Sequence, residues 1–361
     1  MTRHGKTSAG RQRWRCKACG GSQITAIDAT AKHLTEFLAW LLSRDRQVDM
    51  PGAGRSFRRR TAQFWRLWPM PVVVDEIHDV VFVDGIHLGR KAVVLIARNR
   101  DHVLGWYLAR SENSRAWGAL LVRIAPPVVV VSDGGSGFAK AVKQHWPETG
   151  VQRCVFHAFN QIKTATTSRP KLAAGQQLYG LGRRLMHLKT VPQATIWLTD
   201  YNQWCTDWNQ FLAEKTMVNG RWVYTHQRLV KARGSLNQLI GAGTLFTYLS
   251  PELAAAEIQV PTTNNLIEGG TNAPLRAMLR DHRGMSLIRR IKAIFWWCYQ
   301  HTENPLPPAQ LLKTMPDDEA IKQHYNRLHE TIRYQATIPG WGDAIAWSEL
   351  HHSAPWRNNW D

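Results

Sequence analysis

Two uninterrupted β-branched runs constrain what this chain can fold into more than any other feature. Val80-Val81-Phe82-Val83 leads into Asp84-Gly85, and Val128-Val129-Val130-Val131 leads into Ser132-Asp133-Gly134. Runs without polar alternation are strands of a sheet covered on both faces. A third run, Ala92-Val93-Val94-Leu95-Ile96-Ala97, is followed by the turn-like Arg98-Asn99-Arg100-Asp101 and by an apolar stretch over 102–108. Residues 114–124 carry Trp117, Leu120, Leu121 and Ile124 at helical spacing; a helix around 138–146 and a strand around 151–156 complete the pattern. The order is three strands, helix, strand, helix, strand: an α/β fold with a mixed sheet, the two Asp-Gly strands side by side and their carboxylates close together.

The rest of the chain divides around this sheet. Residues 1–24 are basic and contain Cys16-x-x-Cys19 behind Arg13-Trp14-Arg15. Residues 25–70 read as helical, with Leu34, Phe37, Leu38, Leu41 and Leu42 on one face and a turn at Pro51-Gly52-Ala53-Gly54. Ser56 then caps a helix bearing Arg55, Arg58, Arg59 and Arg60, so the region has the helix, turn, basic helix order of a helix-turn-helix DNA module; a basic surface helix on a small bundle is the plainer reading. The sheet region spans 71–164. Residues 165–260 read as helical, with Trp197, Tyr201, Trp204 and Trp208 as a packed stripe. In 261–303, Thr262-Thr263-Asn264-Asn265 caps a helix carrying Glu268, and an apolar helix follows over 286–299. The segment 304–361 is a Pro-rich, then mixed tail.

Lys and Arg total 46 against 27 acidic residues, a formal charge of +19 over 361 residues. That excess suits a polyanionic partner, since phosphate contacts reward distributed positive charge. No apolar run approaches the ~20 residues of a membrane-spanning helix, and the first residues lack a signal-peptide core. A cytoplasmic, nucleoid-associated protein with a nucleic-acid partner is expected. The five cysteines are scattered and odd in number, which is not a disulfide framework.

Asp84 and Asp133 each follow a strand and precede a glycine, where α/β sheets gather functional groups. Glu268, about one turn inside a helix, supplies a third carboxylate. Singly, each has a structural explanation: Asp-Gly forms turns, and a Glu in a first helical turn complements the helix dipole. Together they match phosphodiester chemistry. Two Mg²⁺ (or Mn²⁺) ions about 3.5–4 Å apart activate the attacking oxygen and stabilise the leaving one, and such ions favour carboxylate ligands.

The ordered motifs Val-Asp84-Gly85, Ser-Asp133-Gly134, Cys154-Val-Phe-His157 and Asn264-Asn265-x-x-Glu268-Gly269 resemble the Mutator-like superfamily of bacterial insertion-sequence transposases over roughly residues 28–300. The resemblance implies an RNase H-like fold with a large helical insertion before the Glu, and a catalytic, metal-binding triad of Asp84, Asp133 and Glu268. It implies double-stranded DNA as partner, both terminal inverted repeats and target, and a homodimer or higher assembly to join two ends. Cys154 and His157 match the family's Cys-x-x-His motif and are expected to be structural beside the active site. Arg276, Arg280 and Arg283 follow Glu268 as a ridge for the DNA backbone, or as a solvated basic face. Cys16 and Cys19 look like one knuckle of a zinc ribbon with only His4 upstream, so a closed zinc site within one chain is not expected. Two other classes compete: an RNase H-like nuclease or resolvase that cuts without joining, and a non-catalytic DNA-binding regulator, which would leave the carboxylates idle.

Overall fold

The computed structural model describes residues 1–25 and 28–332. Ala26 and Ile27, and residues 333–361 of the expected tail, lie outside the described residues. The chain separates into two compact units: Met1–Arg66 with Leu306–Met315, and Leu67–Pro305 with the chain from Pro316 onward.

In the first unit, β1 (Thr2–Lys6), β2 (Gln12–Arg15) and β3 (Ser22–Ile24) form an antiparallel sheet. Cys16 and Cys19 lie in the β2–β3 turn, which closes through Cys16 N–H to Gly21 O and Gly20 N–H to Cys16 O. α1 (Thr30–Leu41) buries Leu34, Phe37, Leu38 and Leu41, whereas Leu42 is the exposed C-cap and not part of the stripe. α2 is short (Arg55–Thr61) and does not start on a Ser56 cap. Its N-cap is Gly54, in left-handed conformation with φ 73° and so close to Gln47 that a Cβ would sit 2.1 Å from that carbonyl oxygen. Only glycine fits there. α1 joins α2 through Trp40 on Phe57, and the 3-10 turn after α2 through Phe37 on Phe64, with ring centroids 5.3 and 5.7 Å apart. α14 (Pro308–Thr314), from the expected tail, packs on α1.

The second unit is built on a five-stranded sheet of β4 (Val80–His87), β5 (Val93–Arg98), β6 (Val103–Ala109), β7 (Val129–Ser132) and β8 (Gly150–Arg153), in the order β6-β5-β4-β7-β8. The sheet is mixed, as expected: β4–β5 and β5–β6 are antiparallel, β4–β7 and β7–β8 parallel. β5 and β6 are buried along almost their whole length. α3 (Ser114–Leu121), started by Asn113 Oδ1 accepting from Ala116 N–H, and α4 (Ser136–His145) complete the crossovers.

Two boundaries differ from the sequence reading. β4 does not end at Asp84-Gly85 but runs on to His87, because its antiparallel partner β5 pairs with it from Phe82 through His87. The chain after β8 turns at Cys154 into α5 (Val155–Thr166), so Phe156 is helical and not part of a strand.

Beyond the sheet come α6 (Ala173–Leu185), α7 (Val191–Asp207), α8 (Asn209–Ala213), α9 (Gln227–Gly241) and α10 (Pro251–Ala255). A hairpin of β9 (Lys215–Val218) and β10 (Arg221–Tyr224) interrupts these helices without joining the main sheet. α7 starts on Thr190, whose hydroxyl accepts from Gln193 N–H, with Pro192 in the first turn. Its Trp197, Tyr201 and Trp204 are buried, and Trp208 is partly buried. α11 (Asn265–Ile267), one π-helical turn over Glu268–Asn272, and α12 (Ala273–Asp281) then form a nearly continuous helix, followed by α13 (Leu287–Gln300) and α15 (Asp318–Ile332). No described helix is long and apolar enough to cross a membrane.

Trp197 is fully buried and donates Nε1–H to Leu181 O at 2.8 Å. Trp197→Ala should cost about 3–5 kcal/mol by cavity formation, and Trp197→Phe clearly less. Denaturant unfolding followed by circular dichroism checks both, and equal losses would show that the stripe is not the packing centre of these helices.

Candidate active site

The parallel pairing of β4 with β7 matches Val80 with Val129, Val81 with Val130 and Phe82 with Val131. Carried two residues further, the same register sets Asp84 against Asp133. β7 has ended by then, and Gly134 turns the chain away at φ 76°. Asp84 therefore lies within β4 but beyond the end of its parallel neighbour, at a gap in the sheet.

The helix bearing Glu268 is fixed to this gap by a set of polar contacts. Asn264, fully buried, donates Nδ2–H to Val83 O at 3.0 Å, and its backbone N–H points to Cys154 Sγ at 3.3 Å. Its side chain thus ties the helix start to β4 instead of capping the helix, as the sequence suggested; no side-chain cap bond forms there. Val155 N–H donates to Thr262 O at 2.8 Å. About two turns on, Asn272 Nδ2–H donates to Asp84 Oδ2 at 2.6 Å, and Arg98 Nη1–H, from the end of β5, donates to Thr271 Oγ1 at 3.0 Å. The π turn between these anchors begins at Glu268 itself. Such single wide turns recur at functional sites; here it lets Asn264 and Asn272 both face the sheet.

The electrostatics follow from this crowding. Burial, then the charge of Asp133 and those of Glu268 and Glu112, push the Asp84 carboxyl up to about 7, against the Gly85 N–H, which holds it down. Glu112 is a fourth acid missed in the sequence. It pairs with His87 Nε2 at 2.7 Å and lies so close to Gly85 that a Cβ there would be 2.5 Å from its Oε1.

Cys154 and His157 form the opposite wall. Burial alone would raise the Cys154 thiol, but His157 and the Asn264 N–H outweigh it and bring it down. Cys154 in turn raises His157, against burial, with Glu268 and Asp133 adding to the effect. His157 Nδ1 faces Glu268 Oε1 across 3.6 Å, too long for a hydrogen bond. The ligand-type atoms of Cys154, His157 and Glu268 all lie within 4.8 Å of one another.

Arg153, at the end of β8, is only 5% exposed, and burial lowers its guanidinium while Asp133 supports it. Several buried polar atoms around the gap lack hydrogen-bond partners: Ser132 Oγ, Arg153 Nε and Nη1, Asn264 Oδ1, Glu268 Oε1 and Asn272 Oδ1. Orphans of this kind are uncommon in a finished interior and signal an absent ligand or a functional cost. The oxygens among them are hard donors suited to Mg²⁺ or Mn²⁺.

The other residues singled out in the sequence lie elsewhere. Arg276, Arg280 and Arg283 are exposed on and just after α12; Arg280 ion-pairs weakly with Asp281 at 3.8 Å. Arg55, Arg58 and Arg59 are exposed on α2 in the first unit, where Arg60 is engaged by Glu36 at 3.3 Å. Cys16 is half-buried and Cys19 exposed; the amides of Cys19 and Ala18 lower the Cys16 thiol. Glu112, Asn272, Arg98 and Arg153 carried no pattern in the sequence, because their partners are distant in the chain.

The pH dependence of stability tests the crowding at Asp84. A carboxyl with a raised folded pKa contributes stability that is fully present below the unfolded value near 4 and is lost as pH rises through about 7. Asp84→Asn mimics the protonated form. Without divalent ions it should be more stable than wild type above pH 7, by roughly 2 kcal/mol after allowance for partial solvent access, and the gap should close near pH 4. Melting curves across pH check this; a gap independent of pH would mean that Asp84 is not under charge stress.

Residues 75–190 match the family model for the transposase of the Mutator family. The match takes in Asp84, Asp133, Cys154 and His157, while Glu268 lies beyond it. A probable transposase for an insertion sequence element of Corynebacterium diphtheriae is 24% identical over 170 residues, 42% of this chain and 48% of that protein. The transposase for insertion sequence element IS6120 of Mycolicibacterium smegmatis is 31% identical over 117 residues, 27% of this chain and 36% of that protein. The chain thus spans about half or less of the curated relatives it matches. Residues 75–190 thus resemble the transposase of the Mutator family, and both relatives matched are described as transposases of insertion sequence elements.

Proposed function

We propose that the chain is a DDE transposase that cleaves the ends of a DNA element and joins them to target DNA. The observation that carries this reading is the convergence of Asp84, Asp133 and Glu268 at one gap, where burial and then these neighbouring charges push Asp84 up to about 7, in a chain whose residues 75–190 match the Mutator-family transposase model. The sheet order β6-β5-β4-β7-β8, with helices inserted before Glu268, supports an RNase H-like fold.

The donor set fits divalent ions. Two Mg²⁺ or Mn²⁺ ions held by Asp84, Asp133 and Glu268 would supply charge neutralisation at the attacking and leaving oxygens. The chain's own residues do the positioning. Asn272 holds one Asp84 oxygen and Gly85 N–H the other, which fixes the carboxylate plane. Asn264 and Arg98 hold the Glu268 turn against the sheet, and His157 stands behind Glu268. Water attacks the phosphate at the element's end and breaks its P–O3′ bond, freeing a 3′ hydroxyl; that hydroxyl then attacks a phosphate of the target strand, loses its proton and displaces the target's own 3′ oxygen, which leaves as a 3′ hydroxyl. The first unit, with exposed Arg55, Arg58 and Arg59, serves as the helix-turn-helix-like module for the terminal repeats. The α12 arginines provide further backbone contacts, and two copies hold the two ends.

The test is strand cleavage and joining on a duplex bearing the element's own ends, with Mg²⁺, beside a gel shift. Asp84→Asn, Asp133→Asn and Glu268→Gln should each lower cleavage by more than the roughly 10–100-fold that loss of an outer-shell partner costs. DNA binding should be kept, or tighten, because a charge facing phosphate is removed. Wild-type cleavage by Glu268→Gln would remove Glu268 from the triad. Cleavage without joined product would favour the nuclease.

A further inference from the structure

Beside Asp133 the site opens into a cleft of about 620 Å³ between α5 and α9, lined by Asp133, Arg153, His157, Arg228 and Lys231 among others. Asp133 is the only acid among its lining residues. The walls are braced in place: Arg228 Nη2–H donates to Thr164 O at 2.5 Å, and Ser235 Oγ–H to Gln161 Oε1 at 2.7 Å. Behind them, Ala158 and Ile162 of α5 and Leu229, Ala232 and Leu236 of α9 belong to one apolar core. The cleft is therefore preformed.

Arg153 is the anomaly within it. It is only 5% exposed, yet Nε and Nη1 have no hydrogen-bond partner. Asp133 acts on it through space without accepting from those two nitrogens. Nη1 packs so closely on Gly134 that a Cβ there would lie 1.9 Å from it. Removing a guanidinium from water without giving its N–H groups acceptors is costly. Nε–H shares an edge of the guanidinium with Nη2, and an anion with two oxygens in that plane, as phosphate has, gives the orphaned Nε an acceptor there while Nη1 stays packed against Gly134.

We propose that Arg153, with Arg228 and Lys231, forms a binding site for a backbone phosphate of the DNA strand on which the carboxylates act, next to the phosphate that reacts. This rests on the DNA-processing reading above. Asp133 borders both the cleft and the triad, so a phosphate seated on Arg153 fixes the strand's register over the carboxylates. Arg153 is here a positioning residue, and the preformed cleft spends no ordering entropy on the strand's arrival.

The test uses the full chain and a duplex of the element's end in Ca²⁺, with binding read by fluorescence anisotropy against salt. Single neutral methylphosphonates are placed in turn at each position flanking the cleavage site. Arg153→Gln should weaken binding roughly 10-fold or more, and Lys231→Ala should lower the salt slope by about one. One methylphosphonate near the cleavage site should weaken wild type and leave Arg153→Gln unaffected. If Arg153→Gln proves poorly folded by melting, the same comparison with Lys231→Ala decides. Wild-type affinity and slope in both variants, or equal sensitivity to every methylphosphonate, would overturn the site. Because no arm requires cleavage, charge-dependent binding at this position in a chain that never cuts DNA would uphold the phosphate site and defeat the catalytic reading.

Discussion

The pairing of β4 with β7 is the constraint on which the site depends. Parallel hydrogen bonding carries the two strands together through Phe82 and Val131 and then stops, while β5 carries β4 on to His87. Asp84 is thus held rigidly by one neighbour and left open on the other side, facing Asp133. A carboxylate so placed cannot move away from a second negative charge; burial first, and then the charge of Asp133, push it up to about 7. Any cation brought to the gap is offered oxygens whose charges have already been forced together.

The third carboxylate arrives from a position 135 residues beyond Asp133 (268 − 133), and the fold fixes it with hydrogen bonds instead of sheet pairing. Asn264 reaches Val83, Asn272 reaches Asp84, and Arg98 reaches Thr271. Each bond is modest, on the order of 1 kcal/mol net, but they bracket Glu268 on both sides and converge from β4 and β5. The interior here carries unsatisfied oxygens and guanidinium nitrogens, a cost that a purely structural interior avoids. Packing supplies the compensation elsewhere: the aromatic stack of Trp197, Tyr201 and Trp204 centres the helices that precede Glu268.

The sheet was legible because its strands are long apolar runs, and Asp84 and Asp133 because each follows such a run and precedes a glycine. Glu268 was legible only through motif order, since nothing local distinguishes it from a helix-start acid. The strand end at Asp84 was misplaced because antiparallel support from β5 cannot be read from the β4 residues alone. Asn264 stood in a visible motif but was assigned a cap, the usual role of an Asn before a helix; its tertiary bond to Val83 displaced that role. Glu112, Asn272, Arg98 and Arg153 act across 25 to 188 residues of chain or through single contacts, and periodicity carries no trace of them.

In the proposed function, divalent ions bind where β4, β7 and the Glu268 turn meet. Replacing Mg²⁺ with Fe²⁺ and adding ascorbate and peroxide generates hydroxyl radicals at the metal, which cut the backbone nearby. Breaks are expected close to Asp84, Asp133 and the 264–272 turn, suppressed by excess Mg²⁺ and weakened together in Asp84→Asn. Breaks confined to the Cys16–Cys19 turn, or none near β4 and β7, would contradict it.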